Sequence, residues 1–277
     1  CIPNVKYVCA KRKNKKRKFK IKKSQWLKNY IDATTKKDVD LIIELIGGAE
    51  GPAKKLVFQA LKNKKHVVTA NKALIAKYGD QLSKIAENNK VNLEFEASVC
   101  GGVPIIRSLK EGLIANKIKK VYGIFNGTSN YILSSMDKQK KNFKDVLINA
   151  QKLGYAERNP TADLNGDDVS SKLKILSSLC FNSFLNSNIH VEGIKEIDKE
   201  DIDYANSLGY KIKLLGFSEQ IKNNIYQRVH PTLIKNNSHV ATIDGVLNAV
   251  IVEGSPVGQS IIQGAGAGAA ATTSALI

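Results

Sequence analysis

Between Gly154 and Lys172 the sequence sets four carboxylates, Glu157, Asp163, Asp167 and Asp168, and one lysine around an Asn165-Gly166 turn. A helix that begins at this turn puts Asp168 and Lys172, four residues apart, on one face. Glu157 and Asp163 then fall in the loop that leads into it. Such a cluster can hold the amino group of a small substrate and pass a proton to a developing alkoxide. An acidic helix start with an ordinary surface ion pair fits the same residues. The elements around the cluster decide between the two.

The first hundred residues alternate strand and helix patterns. Val5 to Ala10 reads as a strand, and Val39 to Ile46 as a short apolar strand covered on both faces. Pro52 opens a helix to about Leu61, His66 to Thr69 is the next strand, and a helix follows from about Ala73 to Glu87. Val91, Leu93, Phe95, Ala97 and Val99 alternate with other residues as in a strand. Repeated units of this spacing predict an α/β fold with a Rossmann-type, doubly wound parallel sheet. Ligands of such sheets lie beyond the carboxyl ends of the strands. Those ends are Ile46-Gly47-Gly48, Thr69-Ala-Asn71-Lys72 and Glu96-Ala-Ser-Val-Cys-Gly101, where glycines admit a close ligand and Lys72 can reach a phosphate or substrate.

No G-x-G-x-x-G follows an opening strand, so the first strand present reads as the second of such a fold and the chain as a fragment. At its end, where an NAD site places an acid for the ribose, stand Lys11 and Arg12 with Lys13 behind, which suit the 2′-phosphate of NADP. After Pro104 the pattern becomes α+β. Helices are expected from Ile105 to about Asn116, after an Asn126 cap, from Lys144 to Leu153, and from Asp168 to Phe181. Strands are expected at 121–125, 191–194, 212–217, 225–229 and 249–253, in a mixed sheet, and Gly254 to Ile277 reads as a Gly-rich loop with a short helix.

Composition narrows the function classes. Gly254 to Ile277 is uncharged, but its Gly, Ser, Gln and Pro make it a poor membrane span, so a soluble protein is expected. Four cysteines without CxxC or histidine-partnered spacing indicate neither zinc nor a disulfide framework, and they suit a reducing cytoplasm. Cys100 has no nearby histidine in sequence and reads as a packing residue. The formal charge of +18 is concentrated between Lys11 and Lys23, with ten Lys or Arg and no acid. Phe19 is the one aromatic there, so a nucleic-acid stacking platform is not suggested.

Ile46-Gly-Gly48, Thr69-Ala-Asn-Lys72, Glu96 to Pro104, Asn126-Gly-Thr-Ser-Asn-Tyr131 and the Gly154–Lys172 stretch together resemble homoserine dehydrogenases. Gly245-Val-Leu-Asn-Ala-Val250 and Gly264-Ala-Gly-Ala-Gly268 fit the same family. The resemblance implies NAD(P)-dependent interconversion of L-aspartate 4-semialdehyde and L-homoserine, with NADP preferred and NAD the alternative. It implies Lys172 as acid/base with Asp168 beside it, and Glu157, Asp163 and Thr128 on the substrate. Gly47, Asn71, Lys72 and Gly266 would face the cofactor. A monovalent cation, sodium or potassium, would bind Glu96 and the carbonyls of Val99, Gly101 and Val103. The implied domains are a nucleotide-binding domain (1–103), a catalytic and dimerising domain (104–255), and a segment returning to the first (256–277). A homodimer is expected. The competing expectation is a non-catalytic protein that contacts nucleic acid through Lys11–Lys23.

Overall fold

The computed structural model describes residues 3–13, 15–17, 19–182 and 189–277. The chain divides into two units, Cys1–Phe95 with Leu276–Ile277, and Glu96–Ala275.

In the first unit, β1 (Leu41–Glu44), α1 (Pro52–Lys62), β2 (His66–Thr69), α2 (Lys72–Asn88) and β3 (Leu93–Glu94) form successive β-α-β crossovers. The strands pair in parallel in the order β1-β2-β3, with Leu41 opposite His66 and Val67 opposite Leu93. Pro52 starts α1, whose Leu56, Val57, Ala60 and Leu61 make the buried stripe. Asn71 caps α2 by accepting from Leu74 N at 3.1 Å. Crossovers of one hand in one direction stack both helices on the same sheet face. Ile42 and Val67 are therefore buried, whereas Leu41 and Ile43 are each 40% exposed, against the expected cover on both faces.

The strand expected at 39–46 is confined to Leu41–Glu44, that at 191–194 to His190–Val191, and two more hardly form. Residues 5–10 hold a single parallel bridge, Val8 to Trp26, and no ladder. A strand needs neighbours to take its N–H and C=O groups, and most of this run faces solvent. The 91–99 alternation yields only β3, after which the chain winds into a 3-10 turn at Glu96–Ser98. The Glu96 carboxylate pulls that turn round by accepting from Ile106 N at 2.9 Å and Arg107 N at 2.7 Å.

In the second unit α3 (Ile105–Arg107) continues as a π turn over Ser108–Gly112, ending at Gly112 rather than Asn116. Then come β4 (Lys117–Ile124), α4 (Gly127–Gln139), α5 (Phe143–Lys152), α6 (Thr161–Leu164), α7 (Asp167–Phe181), β5 (His190–Val191), α8 (Lys199–Ser207), β6 (Tyr210–Ile221), β7 (Asn224–Lys235), β8 (Leu247–Ser255), β9 (Gly258–Ala265) and α9 (Ala269–Leu276). The strands form one six-stranded mixed sheet, β5-β7-β6-β4-β8-β9, antiparallel except for β5 with β7. α7 packs across β4 and β6, and Val121, Phe125, Leu173, Leu176, Val250 and Val252 are fully buried. The helices α6 and α8 were not visible as hydrophobic periodicity, because each is short and buries one or two apolar residues.

Residues 258–265, expected as a Gly-rich loop, are the edge strand β9. Their backbone pairs with β8 from Gly254 opposite Gly258 to Leu247 opposite Ala265. The ladder uses main-chain groups alone, so poor side-chain propensity does not prevent it. Among the described residues no helix is long and apolar enough to cross a membrane.

A second lysine, Lys213, is 1% exposed and donates to Asn130 Oδ1 (3.1 Å), Ile243 O (2.7 Å) and Asp244 Oδ1 (2.8 Å). Lys213→Met strands these acceptors and should destabilise the protein by about 3 kcal/mol. Urea unfolding followed by circular dichroism reads this; an unchanged midpoint would show that the three bonds contribute nothing.

Candidate active site

Gly166 is the hinge on which the site turns. It holds the left-handed conformation (φ +88) immediately before α7, and a Cβ there would stand 3.0 Å from the Val191 side chain and 3.1 Å from that of Val229. The chain therefore reverses tightly against β5 and β7 and enters α7 with Asp168 and Lys172 facing inward. Lys172 is 9% exposed; its Nζ lies 2.7 Å from Asp168 Oδ2 and donates to Phe125 O at 2.6 Å. The pair is buried, so the bland reading of a surface ion pair is excluded.

Asn126, read from sequence as a helix cap, does more than cap. Its Oδ1 accepts from Ser129 N at 2.8 Å to start α4. Its Nδ2 donates to Asp163 Oδ1 at 2.7 Å and to Asp168 Oδ2 at 2.9 Å. One amide thus joins both aspartates, which lie on α6 and α7. The Asn-Gly-Thr-Ser pattern reads as a cap in sequence, and only the fold brings the aspartates to it.

Burial presses the Lys172 ammonium toward its neutral form, but the charge and hydrogen bond of Asp168, with Asp163 adding, hold its pKa above the ordinary lysine value. The stabilisation this represents is complete at any pH below the ordinary value. It is lost only as pH rises through the raised one.

Of the other residues expected to meet the substrate, Glu157 is exposed and Thr128 half-buried. The Glu157 main-chain carbonyl accepts from Gln151 Nε2 at 3.2 Å. Thr128 donates its hydroxyl to Tyr155 O at 2.7 Å, tying the start of α4 to the Gly154–Glu157 loop, and Tyr155 packs on Tyr131 with ring centroids 4.9 Å apart.

Behind the pair stands Cys100, 1% exposed and left-handed (φ +53). Burial pushes its thiol upward, against the pull of the Lys172 charge, so it is protonated at neutral pH. The fully buried Asn248 amide lies beside this thiol and draws its pKa down, although neither Oδ1 nor Nδ2 has a partner in full hydrogen-bond geometry. Gly266 abuts the same amide: a Cβ there would stand 2.1 Å from Asn248 Cγ.

Two family models account for nearly the whole chain. Residues 104–277 match the model described as homoserine dehydrogenase, and residues 3–96 match the homoserine dehydrogenase NAD-binding domain. The chain belongs to the homoserine dehydrogenase family. It is 49% identical over 253 residues to the homoserine dehydrogenase of Neisseria gonorrhoeae, covering 91% of this chain and 58% of that protein. With the Bacillus subtilis enzyme identity is 40% over 278 residues, covering all of this chain and 64% of that one. The crystal structure of a homoserine dehydrogenase from Thiobacillus denitrificans superposes with a TM-score of 0.88 at 48% identity, covering 92% of this chain and 59% of that chain. A hyperthermophilic archaeal homoserine dehydrogenase in complex with NADPH gives a TM-score of 0.72 at 27% identity, over 86% of this chain and 69% of that one. The chain thus spans about three fifths of the curated relatives' length.

Within this homoserine dehydrogenase fold the remaining expected residues fall in two places. Gly47 (φ +83), Asn71 and Lys72 share the carboxyl edge of the first unit's sheet, where the Asn71 side chain donates to Gly48 O at 2.8 Å. Beside Gly47 there is open space where a side chain would stand. Glu96, Val99, Gly101 and Val103 share the 96–103 turn of the second unit, closed by Val99 N to Glu96 O (3.3 Å) and Val103 N to Cys100 O (2.8 Å). Among the described residues no cluster of three or more His, Cys, Asp or Glu is placed to hold a metal. Sequence reasoning missed Asn126 as a bridge, Asn248, and Glu44, whose acid in an apolar strand was the one visible signal.

Because Gly266 packs on Asn248, Gly266→Ala should destabilise the protein by about 1–3 kcal/mol through overpacking. The double variant Gly266→Ala, Asn248→Ala should recover most of that loss in thermal melts. A loss that persists in the double variant would place the clash elsewhere.

Proposed function

We propose that the protein interconverts L-aspartate 4-semialdehyde and L-homoserine with NADP(H). The observation that carries this reading is the buried Lys172 ammonium, held by Asp168 and the Phe125 carbonyl in a chain matched along both units by homoserine dehydrogenase models. NADPH supplies the hydride. As charge develops on the aldehyde oxygen, Lys172 gives it a proton, and Asp168 keeps the lysine protonated and aimed. Glu157 pairs with the substrate ammonium, Asp163 completes the polar wall, and the Thr128 oxygen accepts from the substrate. In the reverse direction a neutral Lys172 takes the proton from homoserine.

Gly47, Asn71, Lys72 and Gly266 are proposed as cofactor contacts. The open space at Gly47 and the start of the long helix α2 at Lys72 suit a phosphate. Lys11 and Arg12, both exposed, favour NADP over NAD. Glu96 with the carbonyls of Val99, Gly101 and Val103 offers an all-oxygen donor set that fits a sodium or potassium ion. The carboxylate is already fixed there by two backbone N–H groups. A cytoplasmic homodimer completes the proposal.

The nucleic-acid alternative loses one of its ten basic residues, because Arg17 donates to the carbonyls of Arg12, Lys13 and Lys15. Its guanidinium lies 5.0 Å from the centre of the Trp26 ring.

Lys172→Ala in the intact protein should lower turnover by about 10²–10⁴-fold in NADPH consumption with aspartate semialdehyde. Near-normal rates would sink the assignment. Homoserine oxidation needs a neutral lysine, so its rate should climb with pH toward a limb above the ordinary lysine value of about 10.4. Asp168→Asn removes the anion that raises Lys172 and leaves burial dominant, which should move that limb to lower pH. A limb that stays in place would show that Lys172 is not the titrating group.

A further inference from the structure

We propose that Glu44 is a positioning residue for cofactor binding. The assignment rests on the reading of the first unit as an NADP(H)-binding domain. Glu44 is the last residue of β1 and is fully buried. Its carboxylate meets three neutral donors. Oε1 accepts from Ile46 N at 2.5 Å and Gly47 N at 3.0 Å, and Oε2 accepts from the Thr69 hydroxyl at 2.6 Å. Thr69 Oγ1 in turn accepts from Asn71 N at 3.0 Å, and the Asn71 amide donates to Gly48 O at 2.8 Å. The bonds close a ring that joins the end of β1 to the end of β2 and the first turn of α2.

The ring matters because the turn it holds has little else to fix it. Leu45 and Ile46 are 63% and 49% exposed, and Gly47 and Gly48 both sit at positive φ, where glycine is free to take many other conformations. A carboxylate is suited to the task because it accepts from several donors at once and binds them more tightly than a neutral oxygen does. Glu44 sits beneath the turn and is shielded from solvent. It therefore sets the shape of the edge that receives the cofactor without touching it.

The test uses the intact protein carrying Glu44→Ala, Glu44→Gln or Thr69→Val. Glutamine can keep both turn bonds on Oε1 and present its amide to the Thr69 oxygen, so Glu44→Gln should stay within about threefold of the parent. Glu44→Ala should raise the KM for NADPH by about tenfold or more, while kcat at saturating NADPH and the KM for aspartate semialdehyde move little. Thr69→Val breaks the ring without changing volume and should raise the NADPH KM by a smaller factor. It serves if Glu44→Ala fails to fold. Hydrogen exchange of the Ile46 and Gly47 amides should quicken in Glu44→Ala and not in Glu44→Gln. Folded variants with the parental NADPH KM, or with kcat lowered at unchanged KM, would overturn the assignment. If the parent itself consumed no NADPH, the proposed function would fall, and the exchange rates would still decide whether Glu44 holds the turn.

Discussion

A lysine ammonium taken almost out of water constrains the whole second unit. The desolvation penalty of such a group amounts to several kcal/mol unless a fixed anion and further acceptors replace its hydration. Asp168 and the Phe125 carbonyl do so for Lys172, one from the same helix and one from the residue just after the central strand β4. Asp168 must then be held in turn, and the Asn126 amide holds it together with Asp163. The position of α7 across β4, the start of α4 and the short helix α6 therefore all answer to one charge. Gly166 allows this by letting α7 begin close against β5 and β7.

Lys213 shows that burial alone does not produce this state. Less of its surface is exposed than of Lys172, yet its pKa falls below the ordinary value, because burial outweighs Asp244 and the nearby Lys211 and Lys138 add like charge. Asp244 is partly solvated and shared with Lys138 at 2.8 Å. Asp168 is dry and lies 2.7 Å from the Lys172 ammonium. The same side chain is thus held charged in one place and pressed toward neutrality in another. The difference lies in how dry the partner carboxylate is and in the sign of the other neighbours.

Much of the fold was legible because local rules governed it. Pro52 and Asn126 started helices where expected, His66–Thr69 formed its strand, and the apolar spacing of 144–153 marked α5. Reading failed where pairing partners or distant caps decided the outcome. Residues 5–10 had the composition of a strand but gained only one bridge. Residues 258–265 had the composition of a loop but found a full ladder on β8. The alternation through 91–99 was cut by the Glu96 carboxylate, whose partners lie ten and eleven residues on.

The candidate site divides along the same line. Sequence alone determined that Asp168 and Lys172 share a helix face, because a four-residue spacing dictates it. It also carried the motifs that mark the homoserine dehydrogenase family. Only the tertiary structure decided that the pair is buried, that Asn126 links it to Asp163, and that Cys100 and Asn248 lie behind it. It also decided that Glu44 holds the turn at Gly47. These depend on residues far apart in the chain meeting at fixed distances with water excluded. Exclusion of water comes from packing, which no local spacing encodes.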